Sequence, residues 1–137
     1  MDSKDKQQTE KNKSFIQSFE FAVTGLKTVY RDERNFRSHV RTSIATILAG
    51  LLFRIDKGEW LWLLTSMFLV LFAEMMNTTF ENIVDLVTDH HFHPLGKKIK
   101  DVGAGAVLLT ACFAVIVGCL IFVPKLINEF IQIKELL

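Results

Sequence analysis

Apolar and polar positions along this chain fall into long blocks. Positions 42–53, 60–73 and 102–124 carry no Asp, Glu, Lys, Arg or His, in runs of 12, 14 and 23 residues. As a helix the last run measures roughly 33 Å, enough to cross a bilayer core of about 30 Å. The blocks predict three membrane spans, at about 36–53, 60–85 and 102–124. The first opens with Arg37, His39 and Arg41, which must snorkel to the interface or face protein. Trp60 and Trp62 suit an interfacial belt at the start of the second. Ahead of the spans, Phe15, Phe19, Ala22, Leu26 and Val29 recur at helical spacing among Gln17, Glu20, Thr24, Lys27 and Arg31. That pattern predicts an amphipathic helix over 14–31 lying on the membrane surface; the bland alternative is a helix packed on a protein core. Residues 1–13 read as a disordered, mixed-charge tail. A loop with His90, His91, His93, Pro94 and Gly96, then Lys97, Lys98 and Lys100, separates the second and third spans, and 125–137 has room for a short surface helix. The fold class expected is therefore an all-α integral membrane protein, one domain over 1–137.

Composition sharpens this picture. Half of the 137 residues are hydrophobic and the formal net charge is +1, which disfavours a soluble enzyme, a nucleic-acid binder and a disordered chain. Met1 to Lys13 is almost wholly polar, with no secretory signal, so the spans are expected to stay in the mature protein. Basic residues are unevenly shared: nine up to Arg41 and three in 89–100, against two in 54–59 and two in the C-terminal tail. The positive-inside rule then puts the N-terminus and the histidine loop in the cytoplasm and the C-terminus outside. Cys112 and Cys119 are too far apart along one helix to form a disulfide.

Candidate chemistry sits in the second span. At 100° per residue, Asn77, Glu81 and Asp85 fall within about 60° of Glu74, so one stripe carries three carboxyl groups and an amide. A carboxylate near lipid costs several kcal/mol unless it is paired or bound to a cation. Oxygen ligands of this kind suit Mg²⁺. The plain alternative, a helix end emerging into water with its acids paired to Lys97, Lys98 and Lys100, accounts for Asp85 but poorly for Glu74, which directly follows the uncharged run. Two places offer partners. Glu33 lies where the surface helix meets the first span, though a weak pairing with Arg37 explains it equally. Lys100-Asp101 precedes Gly103-Ala104-Gly105-Ala106, small residues that allow close helix approach, and Lys100 can hold a phosphate. The histidine cluster lacks cysteine partners and is weak evidence for zinc. Intramembrane acids also fit a cation path, so a small transporter or channel subunit is the rival from another class, and a non-enzymatic assembly protein is a third reading.

These residues resemble a known family. Glu74, Asn77, Thr78, Glu81 and Asp85 are similar to the Glu-x-x-Asn-(Ser/Thr)-x-x-Glu-x-x-x-Asp signature of the prokaryotic diacylglycerol kinases. Lys100-Asp101 with the small residues after it resembles a second signature, and Glu33 through Arg37 resembles the family's first acidic segment. The likeness spans roughly 15–124, and His93-Pro94-Leu95 with Lys97 looks like the Gram-positive, undecaprenol kinase branch. The resemblance implies a multi-pass homotrimer of the cell membrane that phosphorylates a lipid hydroxyl with ATP and Mg²⁺ at the cytoplasmic interface. The substrate it implies is undecaprenol, with diacylglycerol the alternative. It implies Glu74 as general base and Glu33 and Glu81 as metal ligands. Nucleotide contacts would come from Glu33, Asn77, Glu81, Lys100 and Asp101, from the 89–93 loop (Asp89, His91 and His93), and from Lys13 and Phe21 on the surface helix. Asp85 completes the stripe. The chain departs from the family at Phe21, where some members have Tyr, and at Gly96 and Gly103, where Ala is common.

Overall fold

The computed structural model describes residues 15–135, and among them every regular element is an α-helix. Helix α1 is Phe15–Asp32, α2 Arg34–Leu52, α3 Lys57–Thr88 and α4 Pro94–Glu135. By length and composition α3 and α4 are each able to cross a membrane. At about 1.5 Å per residue they measure about 48 and 63 Å, longer than a bilayer core. Only 11% of the most apolar stretch of α4 is buried, so its side chains are not those of a soluble core helix. Leu109 and Leu120, for example, are 73% and 72% exposed.

Helix α3 is the centre of the chain. It packs along α4 and also contacts α2, while α1 meets α2. Its buried residues, Leu63, Ser66, Val70, Ala73, Glu74, Asn77, Thr78 and Val84, recur every three or four positions and form one face. The first half of that face is mostly aliphatic. Leu63 meets Ile55, Val117 and Ile121 in the only buried apolar cluster among the described residues. The second half carries Glu74 and Asn77 and is where the polar stripe is buried.

Local chemistry sets the helix ends. Asp56 caps α3: its Oδ1 accepts from the backbone N–H of Gly58 (2.7 Å) and of Glu59 (2.9 Å), and Glu59 Oε2 accepts from the Asp56 N–H at 2.8 Å. This reciprocal capping box satisfies amides the helix leaves free. Glu59 also pairs with Lys125 at 2.9 Å, tying the start of α3 to the far part of α4. Gly50 lets α2 approach, since a Cβ there would stand 2.8 Å from the Trp60 ring.

Two expectations about α4 need correcting. The separation between α3 and α4 is only 89–93, not a loop reaching to residue 100. Asp89 and His90 adopt left-handed backbone angles (φ 49° and 58°), a conformation Asp and His tolerate better than most residues. Pro94 then starts α4 at once, because its fixed φ suits a first helical position and its missing N–H costs nothing there. Lys97, Lys98 and Lys100 accordingly stand on the helix. Nor do residues after Pro124 form a separate short helix: α4 continues through Pro124 to Glu135.

Candidate active site

Glu74 is 3% exposed. It occupies the α3 face just where the aliphatic half ends. His39, Glu33, Glu81 and Asn35 lie within electrostatic or hydrogen-bonding reach of its carboxylate. Glu33 reaches this point because it is the single residue between α1 and α2, with an extended backbone (φ −98°, ψ 116°). Its carboxylate makes no side-chain cap bond to α2, which leaves it available to other partners. Glu81 lies two turns along α3 from Glu74, and its Oε1 accepts from Asn77 Nδ2 at 2.8 Å.

Asn77 is 8% exposed, and its Oδ1 is buried without a hydrogen-bond partner. An orphan acceptor of this kind costs about 1–3 kcal/mol in a protein interior. The carboxamide sits against α4 at Gly103, so closely that a Cβ at Gly103 would run into Oδ1. The missing side chain at 103 therefore makes room for Asn77. Gly103→Ala is expected to push the carboxamide aside, weaken its bond to Glu81 and destabilise the protein by about 1–3 kcal/mol. Thermal unfolding in detergent checks this; an unchanged midpoint would show that Asn77 does not need the space.

Below this group lies a groove of about 440 Å³ between the end of α3 and the start of α4. Asp85, His91, His93, Lys97, Lys100 and Asp101 line it. Lys100 Nζ donates to Asp85 Oδ1 at 2.6 Å, and Lys97 Nζ donates to Asp101 Oδ2 at 2.5 Å. Both ion pairs are partly open to solvent and thus exchangeable for an anionic ligand. The ionic pairing considered for Asp85 is present, with Lys100 as its partner.

The structure thus gathers Glu33, Glu74, Asn77 and Glu81 into one group and Asp85, His91, His93, Lys100 and Asp101 around the adjoining groove. Asp89 caps α3 and is exposed. Phe21 is 52% exposed on α1, a helix with no buried residue. Lys13 lies outside the described residues. The sequence reading passed over Asn35 and His39 as partners of Glu74. Their signal was available: Asn35, His39, Thr42 and Thr46 are polar positions three or four apart on α2, the mark of a second polar face.

No three acidic, histidine or cysteine side chains among the described residues close on one point as a preformed metal cage would. Glu33 and Glu81 are instead separate oxygen donors within electrostatic reach of Glu74, and Glu81 is bonded to the Asn77 amide. That donor set fits a hard cation that keeps waters and takes its other ligands from phosphates.

The comparisons agree with the geometry. The family model for prokaryotic diacylglycerol kinase matches residues 20–122, which include every residue of the buried group and the groove. An undecaprenol kinase of Bacillus subtilis (strain 168) is 41% identical over 126 residues, covering 92% of this chain and 100% of that protein. A diacylglycerol kinase of Synechocystis is 37% identical over 115 residues, 84% of this chain and 66% of that protein. One of Helicobacter pylori (strain J99) is 32% identical over 101 residues, 74% of this chain and 78% of that protein. With these matches and a helical fold that has two helices able to cross a membrane, the chain belongs to the prokaryotic diacylglycerol kinase family and is a lipid kinase.

Proposed function

We propose that this lipid kinase transfers the terminal phosphate of ATP to the hydroxyl of undecaprenol, giving undecaprenyl phosphate at the cytoplasmic face of the cell membrane. The observation that carries the reading is a buried carboxylate, Glu74, at the boundary between an aliphatic helix face and a polar one. An apolar substrate arrives on the first side and a polyanionic one on the second. In the proposed step the lipid oxygen attacks the γ-phosphorus, Glu74 takes the hydroxyl proton, and the bond to the ADP oxygen breaks. Glu33 and Glu81 would hold Mg²⁺, which when bound would offset the negative charge of the phosphates. Asn77 orients the phosphates through the amide N–H that it does not give to Glu81. Lys100 exchanges Asp85 for a phosphate oxygen, Asp101, paired with Lys97 in the free site, helps position the nucleotide, and the 89–93 turn borders it. Undecaprenol rests on the similarity to the Bacillus enzyme; diacylglycerol is the alternative named by other relatives.

We further read α2 as a third span, α1 as a surface helix and the working unit as a homotrimer. Polar side chains at span depth demand a neighbour, and the exposed polar groove and apolar helix faces of one chain leave room for one. A reporter fused to the C-terminus and active only in the cytoplasm is expected to be silent, and a strong signal would overturn the three-span topology. The reaction is tested by ADP release from purified protein in detergent micelles with Mg²⁺ and ATP. Release should depend on added lipid alcohol. Lipid-independent release, or none, would contradict the reading.

A further inference from the structure

The i,i+4 spacing of Glu33 and Arg37 suggests a weak pair. The Arg37 guanidinium instead reaches back to the end of α1: Nη1 donates to the carbonyl oxygen of Tyr30 at 3.2 Å and of Arg31 at 2.5 Å. Those carbonyls lie at the C-terminus of α1, the negative end of its dipole, where a cation is favoured. The one carboxylate beside them is already engaged. Asp32 accepts from Arg31 Nε at 2.8 Å and Nη2 at 3.2 Å, and that hydrogen bonding holds its carboxyl below the usual range. Arg37 acts on Asp32 only through space and gives its hydrogen bonds to the backbone.

This contact matters because of what it spans. Glu33 is the whole connection between α1 and α2, and α1 has no buried residue to fix its direction. Backbone bonds run through the junction, from Glu33 N–H to Val29 O at 2.9 Å and from Arg37 N–H to Glu33 O at 3.3 Å. They hold the chain path. Arg37 adds the one side-chain tie from α2 to α1 across it among the bonds described.

We propose that Arg37 is the positioning residue for Glu33: by bridging the last carbonyls of α1 from the first turn of α2, it fixes the one-residue hinge and so the direction of the Glu33 carboxylate. The inference rests on the proposed role of Glu33 as a metal ligand. Arg37 itself touches neither the metal nor the phosphates.

The test is a double-mutant cycle on the purified full-length protein, with Glu33→Gln, Arg37→Gln and the pair, reading Mn²⁺ binding directly in the presence of a non-hydrolysable ATP analogue, and the Mg²⁺ concentration for half-maximal rate separately from KM for lipid. Residues that support a metal ligand typically change metal affinity by about 10–100-fold. Arg37→Gln is expected to raise the Mg²⁺ requirement about tenfold, at the low end of that range, with KM for lipid unchanged. In the Glu33→Gln background it should add less than about twofold, because the group it positions is already lost. Arg37→Lys, which keeps the charge with shorter reach, should recover part of the effect, and it serves in the same cycle if Arg37→Gln does not assemble. A full, multiplicative effect in the Glu33→Gln background, or an unchanged Mg²⁺ requirement in both Arg37 variants while Glu33→Gln raises it, would overturn the proposal. Glu33→Gln behaving as wild type would instead remove the metal role of Glu33 on which the proposal stands.

Discussion

Glu74→Gln is expected to lower turnover by about 10²–10⁴-fold, the usual worth of a positioned general base. The substitution keeps the size and hydrogen bonding of the side chain and removes only its ability to take a proton. The site is already supplied with polar neighbours, His39, Asn35, Glu33 and Glu81, so a neutral amide there does not leave an empty cavity. Assembly and ATP binding are therefore expected to persist, and the loss should appear in kcat rather than in KM. A channel or a purely structural acid predicts no such selective loss. An assembled Glu74→Gln protein that works at more than about a tenth of the normal rate would leave Glu74 an orienting residue.

The next largest effect is expected at Glu81. Glu81→Gln should raise the Mg²⁺ concentration needed for half-maximal rate by about 10–100-fold, since one anionic oxygen ligand becomes neutral. Gln keeps an oxygen that can accept the 2.8 Å bond from Asn77, so the change reads the charge rather than the scaffold. Glu33→Gln should shift the titration in the same direction, because it too turns an anionic oxygen ligand neutral. If both variants titrate with Mg²⁺ as wild type does, neither is a ligand.

The stripe on α3 was legible because helical periodicity alone places Glu74, Asn77, Glu81 and Asp85 on one side, and burial of that side follows from the cost of a carboxylate in lipid. The two long apolar helices were legible for the same kind of reason. What the sequence could not show was tertiary. Asn35 and His39 come within reach of Glu74 only because α2 contacts α3. Gly103 matters because α4 comes within touching distance of Asn77, a contact between residues 26 positions apart. Lys100 chooses Asp85, and Lys97 chooses Asp101, by geometry that charge pattern leaves open. The extent of α4 was underread at both ends. Polar lysines suggested a loop before Val102 and Pro124 suggested a stop, but a proline removes one hydrogen bond and does not oblige a long helix to end. Arg37 shows the opposite limit: i,i+4 spacing invited a pairing with Glu33, and the carbonyls at the end of α1 compete for the same guanidinium.

The most direct test of the central claim offers purified protein equal amounts of undecaprenol and diacylglycerol in mixed micelles, with Mg²⁺ and ATP labelled at the γ-phosphate. Undecaprenyl phosphate as the main labelled product is the result predicted here. Label mainly in phosphatidic acid would place the enzyme with the diacylglycerol kinases by substrate as well as by family. Label in neither lipid, from protein that is folded and assembled, would contradict the assignment of the buried carboxylates to phosphoryl transfer.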